Sequence, residues 1–177
     1  MEGNGTDQLE YYLSSLNELG EVLIDADRVE SVGTGILRLT LGTIMASKGA
    51  IFLYNKNKDI VLLSGRGFEL EKPLTPTPDE IKALKQYSHN HLVFSKSNKS
   101  LSGNIEKLLS KNKAKIALPL FHKETFLGIL CVGQKFMDQE YSDVDTKVLE
   151  IVASHLTKAL FNYQLIEEVE AKKTEIN

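Results

Sequence analysis

The stretch GQKFMDQEYSDVD, Gly133 to Asp145, sets Lys135, Tyr141 and Asp145 within a short loop's reach of one another. An ammonium, a phenol and a carboxylate so placed suit one of three tasks: moving a proton in a reaction, gripping a charged ligand, or tying two elements together through a salt bridge. Arg66 is a second charged candidate, because SGRGF (Ser64 to Phe68) puts it between two glycines that let backbone approach a ligand. Its guanidinium would hold a carboxylate or phosphate in a bidentate fork, and a turn arginine paired with a surface acid is an equal reading. Cys131 is the only cysteine and stands among apolar neighbours in FLGILCVGQ, which points to an inert core thiol with no base beside it. His89 and His91 flank Asn90, but without a CxxC or HExxH pattern they read as polar loop histidines, so no metal ligand is assigned. No glycine pattern matches a Walker loop or a dinucleotide fingerprint, and no catalytic residue or cofactor is assigned.

The elements that position these residues follow from hydrophobic periodicity. Leu9, Tyr12, Leu13, Leu16, Leu19 and Leu23 fall at three- and four-residue spacing and predict an amphipathic helix. Asp27 and Glu30 supply a capping signal for a second helix through Val29, Val32, Ile36, Leu37 and Leu41, which Gly33 and Gly35 weaken while permitting close packing. AIFLYN (Ala50 to Asn55) and DIVLLSG (Asp59 to Gly65) predict one antiparallel hairpin; AKIALPLFH (Ala114 to His122) and FLGILCVGQK (Phe126 to Lys135) predict another, and the four strands form the middle of one sheet. Between the hairpins lies a helical insertion. Thr77, Pro78, Asp79 and Glu80 combine a cap, a first-turn proline and a capping-box acid before a helix over Ile81 to Tyr87. A further helix is expected near Ile105 to Leu109, and SHNHLVF (Ser88 to Phe94) forms an edge strand or a loop.

Ser142 and Asp145 form a final S-x-x-D cap, and no proline or glycine follows before Asn177. A helix of that length reaches about 50 Å, against about 40 Å for a compact domain of this size, so its tail is expected to project. Leu149, Val152, Leu156, Ala159, Tyr163 and Ile166 alternate three- and four-residue steps, the seam of a coiled coil, until Val169 breaks the alternation. The early residues of that seam are expected to pack on the chain's own sheet as well, and the positions beyond about Tyr163 need another partner; a parallel helix from a second copy is expected, which makes the chain a homodimer with Leu149, Val152, Leu156, Tyr163 and Ile166 at its interface.

Size and charge narrow the function. The chain has 177 residues with 42% apolar content, enough for one core and one domain over 1–177: terminal helices over 6–46, sheet and insertion over 48–141, and an exit helix over 142–177. A formal net charge of -3 argues against a nucleic-acid partner. The basic run of Lys96, Lys99, Lys107, Lys111, Lys113 and Lys115, opposed only by Glu106, reads as a solvated face. No apolar run approaches the ~20 residues of a spanning helix, no signal pattern opens the chain, and one cysteine gives no disulfide, so a cytoplasmic protein without a membrane partner is expected.

ALPLF, FLGILCVGQKF and YSDVDTKVLEIVASHLTKAL, with the order of two helices, hairpin, helical insertion, hairpin and long exit helix, resemble the GAF domain family over most of the chain. The resemblance implies an α+β fold. A central antiparallel sheet would carry the N- and C-terminal helices on one face, and the insertion with its ligand pocket on the other. It implies a non-enzymatic sensory module of a bacterial signalling protein, binding a small molecule and acting through its exit helix on an output region outside this chain. A ligand-free dimerisation spacer is the alternative, and a small enzyme on the same fold a further one. By the same resemblance the pocket candidates are Arg66, Phe68, Phe94, Ser95, Ser102 and Ile105. Lys135, Tyr141 and Asp145 correspond to a strand-to-helix latch found in cyclic-nucleotide-binding GAF domains, with Tyr141 where phenylalanine is usual. Gln134 and Thr146 replace that signature's asparagine and glutamate, which lowers the case for a cyclic nucleotide. GAF-fold sulfoxide reductases use several cysteines and bilin-binding relatives place one in the insertion; Cys131 meets neither requirement.

Overall fold

The first helix among the described residues, α1 (Val29–Ile44), forms because Val29, Val32, Ile36, Leu37, Leu41 and Ile44 fall on one helical face and bury as one stripe. The computed structural model describes residues 29–87, 92–93 and 103–176, so the helix expected over Leu9 to Leu23 and its Asp27 cap neighbour lie outside the described residues. Met45, at φ 57°, ends α1 in the left-handed region, and the Ala46 N–H donates back to the Leu41 carbonyl. Gly33 lets α1 sit close on the sheet, since a Cβ there would stand 3.1 Å from Leu63 Cδ2.

Strands β1 (Gly49–Tyr54) and β2 (Ile60–Arg66) make the first hairpin. Asn55 shapes its turn, the side-chain Oδ1 accepting from the Asn57 and Asp59 N–H groups. The insertion contributes α2 (Pro78–Lys85), a two-residue edge strand β3 (Leu92–Val93) and α3 (Asn104–Lys111). The second hairpin is β4 (Ile116–His122) and β5 (Thr125–Val132), and after a 3-10 turn over Phe136–Asp138 the chain enters α4 (Asp143–Ile176). All five strands pair antiparallel in the order β2-β1-β5-β4-β3, so the two hairpins join through β1 and β5.

Because β1 and β5 are covered on both faces, they read as continuous apolar runs rather than as alternating strands. Ile51, Leu53, Leu118 and Leu130 face α1 and α4; Ala50, Phe52, Ala117 and Cys131 face the insertion. Residue parity along β5 flips at a bulge, where Leu120 pairs with Gly128 and Phe121 with Phe126, leaving Leu127 over. This is why Phe126 and Ile129 share a face although three positions apart. Terminal helices on one face and a helical insertion on the other make the α+β architecture that the element order implies.

The long helix divides into two parts. Leu149, Val152 and Leu156, assigned by their spacing to a seam with a partner helix, are 0%, 0% and 2% exposed within the single chain. The sheet face and α1 claim that stripe, so a partner helix finds none of it. Burial ends at Leu160; Tyr163 and Ile166 are half-buried, while Leu165 and Val169 are 44% and 52% exposed. At about 1.5 Å per residue the stretch 161–176 continues for about 24 Å.

Candidate functional site

Where β5 hands over to α4, three side chains converge. Lys135 Nζ lies 2.6 Å from Asp145 Oδ2, and the two side chains are only 10% and 13% exposed. Asp145 also closes a reciprocal capping box at the start of α4: its N–H donates to Ser142 Oγ at 3.2 Å, and its Oδ2 accepts the Ser142 N–H at 2.9 Å. The Tyr141 hydroxyl donates to the Gly133 carbonyl, and Lys135 Nζ stands 5.6 Å from the centre of the Tyr141 ring. Burial alone would raise the Asp145 pKa, but hydrogen bonds from Lys135 and Ser142 together with the Lys135 charge outweigh it and hold the carboxyl below its ordinary value. Burial, then the Asp145 charge, pushes the Tyr141 phenol up, so it stays protonated and donates. Each group is spent on another: the ammonium on the carboxylate, the carboxylate on a helix start, the phenol on a strand end. That arrangement suits fastening rather than proton transfer.

Across the sheet, the insertion is fastened by Glu80, which the sequence marks only as a cap of α2, and by Asn112 and Lys48, to which it assigns no such task. Glu80 closes the capping box of α2, accepting the Thr77 N–H at 2.7 Å while its own N–H donates to Thr77 Oγ1. Its second oxygen accepts the Asn104 and Ile105 N–H groups at the start of α3, so one buried carboxylate caps two helices. Gly103, at φ 105°, is needed there, because a Cβ would stand 2.1 Å from Glu80 Oε1. Asn112, at the other end of α3, accepts the Glu69 N–H at 2.9 Å and donates to the Glu69 and Leu108 carbonyls. Its own carbonyl accepts from Lys48 Nζ at 2.8 Å, and that ammonium lies 5.6 Å from the Phe68 ring centre. The capping acid Glu80 was legible as a cap of α2; its reach to α3, and the roles of Asn112 and Lys48, join residues too far apart in sequence for any local signal.

Of the pocket candidates, Phe68 and Ile105 come together in the buried apolar cluster under the insertion, with the Phe52 and Phe68 rings edge to face at 6.4 Å. Arg66 ends β2 and is exposed. The room its flanking glycines provide is used by the chain itself: a Cβ at Gly67 would stand 2.8 Å from Lys48 Cβ, and one at Gly65 3.1 Å from Leu62. Phe94, Ser95 and Ser102, like His89 and His91, lie outside the described residues. Cys131 is fully buried, and desolvation pushes its thiol far up, past what the weak contact to the Ala50 carbonyl offsets. Lys107, Lys111, Lys113 and Lys115 are exposed. Among the described residues no three His, Cys, Asp or Glu side chains gather as a metal site would need, and no helix is long and apolar enough to cross a membrane.

No protein-family model and no curated protein matches the sequence. Solved structures do match in shape. The GAF domain of a putative sensor histidine kinase from Pseudomonas syringae pv. tomato superimposes with a TM-score of 0.62 at 16% identity, over 97% of this chain and 99% of that one. The GAF domain/HD domain protein from Geobacter sulfurreducens gives 0.58 at 22% identity, over 82% and 98%. This chain has the GAF domain fold. The free methionine-R-sulfoxide reductase from Neisseria meningitidis, solved with its substrate, matches at 0.60 and 14% identity, over 90% and 93%. An enzyme therefore shares this fold, and at these identities the likeness is one of fold.

Proposed function

We propose that this GAF domain is a non-enzymatic regulatory module: a small ligand seats between the insertion and the sheet, and the resulting shift leaves through α4, paired with a second copy, to an output region outside these residues. The observation that carries the reading is the mismatch between α4 and the sheet. Its buried stripe ends at Leu160, yet the helix continues to Ile176 with Leu165 and Val169 uncovered, a form suited to relaying position rather than to closing a core. The dimer surface belongs to that distal part, with Tyr163 and Ile166 at its margin, instead of Leu149, Val152 and Leu156. Lys135, Tyr141 and Asp145 act as the latch that makes the strand end and the helix start move together. A ligand changes the output only by binding one helix arrangement better than the other; equal affinity for both transmits nothing.

A ligand-free spacer is the second reading, and a specific observation favours it: in the described part of the insertion face, Phe52, Phe68, Ile105 and Leu109 fill the space that a ligand would take. The buried, protonated thiol of Cys131 and the mutually engaged groups of the latch both speak against turnover. Native mass spectrometry of the purified chain separates the readings. A dimer with added small-molecule mass supports the sensor, a dimer of bare chains supports the spacer, and a monomer overturns the relay through paired helices.

A further inference from the structure

We infer that Lys48 couples the insertion to the exit helix around the Gly49/Val132 end of the sheet. The two helical layers lie on opposite faces of a close-packed sheet, so a shift in the insertion reaches α4 either through the core or around an edge. One edge carries an unbroken polar route. It begins at the C-terminal end of α3, where the Asn112 carbonyl accepts from Lys48 Nζ. The Lys48 stem is held between two glycines, a Cβ at Gly67 falling 2.8 Å from its Cβ and one at Gly133 falling 2.6 Å from its Cγ. The ammonium therefore cannot shift far without moving those backbones.

From Lys48 the route runs on through backbone. The segment 45–48 is bound to 133–136 as a short ribbon beyond the β1 and β5 ends. Gly133 N–H donates to the Lys48 carbonyl, Ser47 N–H and Oγ to the Gln134 carbonyl, and Phe136 N–H to the Met45 carbonyl. The same ribbon carries both fastenings of α4: the Gly133 carbonyl that holds Tyr141, and Lys135, which holds Asp145. Lys48 is thus a positioning residue whose side chain belongs to the insertion's anchorage and whose backbone belongs to the latch. This deepens the regulatory reading and rests on it, since coupling between the two faces is what such a module requires.

The test is amide hydrogen exchange on the full chain carrying Lys48→Met, which keeps an apolar stem and removes the ammonium. Three amides report: Ala114, bonded to the Leu109 carbonyl at the end of α3; Thr146, bonded to the Ser142 carbonyl in the first turn of α4; and Asn55, bonded to the Asp59 carbonyl at the far hairpin. The expected result is exchange about tenfold faster at Ala114 and at Thr146, the effect of losing one charge-assisted bond, with Asn55 unchanged. Acceleration at Ala114 alone, or at neither site, overturns the coupling. Equal acceleration at all three also overturns it, because Lys48 would then act only on global stability. Gly67→Ala, whose Cβ would meet Lys48 Cβ at 2.8 Å and which lies outside the latch, should also accelerate exchange at Thr146 and keeps the proposal testable if the first variant folds poorly. No ligand is involved, so failure here leaves the sensor reading to its own measurement.

Discussion

Replacing Asp145 with alanine tests the latch directly. The substitution strands the Lys135 ammonium in a setting where its side chain is 10% exposed, and it removes the half of the capping box in which the carboxylate accepts the Ser142 N–H, while the backbone N–H at 145 still donates to Ser142 Oγ. Exposed ion pairs contribute about 0.2 to 1 kcal/mol, whereas breaking one side of a fully buried pair costs about 3 to 5 kcal/mol. With both partners mostly covered, about 2 kcal/mol for the pair is reasonable, and the lost hydrogen bond from the Ser142 N–H adds about 1 kcal/mol. The expected destabilisation of about 3 kcal/mol corresponds to a fall of about 6 to 12 °C in melting temperature for a domain of this size. Acid titration gives a second reading of the same contact. The folded-state pKa of Asp145 is depressed, so its contribution is fully present above the unfolded value of about 3.9 and is lost as pH falls through the folded value. The gap between wild type and Asp145→Ala, followed by thermal melts, should therefore hold from neutrality to about pH 5 and narrow below about pH 4. Combining Asp145→Ala with Lys135→Met should cost less than the two single changes added together, because no charge is then stranded. A melting point within about 1 °C of wild type, or strict additivity in that cycle, would refute the reasoning.

Gly103→Ala should cost about 2 to 4 kcal/mol in urea unfolding, because the new Cβ meets Glu80 Oε1 and the backbone is held at φ 105°; a change under about 0.5 kcal/mol would show that Glu80 moves aside freely. Cys131 should react with a chromogenic disulfide about a thousandfold more slowly in the native chain than in denaturant, and rapid native labelling would contradict its burial. Glutamate at both Leu165 and Val169 should weaken self-association at least about tenfold by analytical ultracentrifugation while changing stability by no more than about 0.5 kcal/mol. Glutamate at Leu156, 2% exposed, should instead unfold the chain, since it places a charge in the core.

The elements were legible because their signals are local. The capping box at Thr77 and Glu80 and the S-x-x-D start of α4 each satisfy backbone groups within a few residues. What was not local was misjudged. The three- and four-residue period of α4 continues unchanged from Leu149 to Ile166, so it records that one face is apolar but not what covers each turn. Packing decides that: Leu149, Val152 and Leu156 are buried over β4 and α1, whereas past Leu160 the helix reaches only the margin of the sheet, Phe161 stacking on His122 and Gln164 donating to the Tyr54 carbonyl, and Leu165 and Val169 are left exposed.

The glycines of SGRGF carry the same lesson into the candidate site. A glycine beside an arginine at a strand end says only that something comes close; the sequence does not say whether that is a ligand or another part of the chain. At Gly67 and Gly133 it is the stem of Lys48, a residue distant in sequence from both, whose ammonium reaches Asn112 farther on again. Spare room read from composition was room already taken. Arg66, by contrast, stands exposed at the end of the edge strand β2, with its guanidinium at the surface rather than in the apolar cluster of Phe68 and Ile105. A ligand that used Arg66 would have to meet it at that rim. Three residues on, Glu69 is joined to Asn112 at the end of α3, so a ligand at that rim would sit beside a segment tied through Asn112 to Lys48 and from there to the exit of the fold.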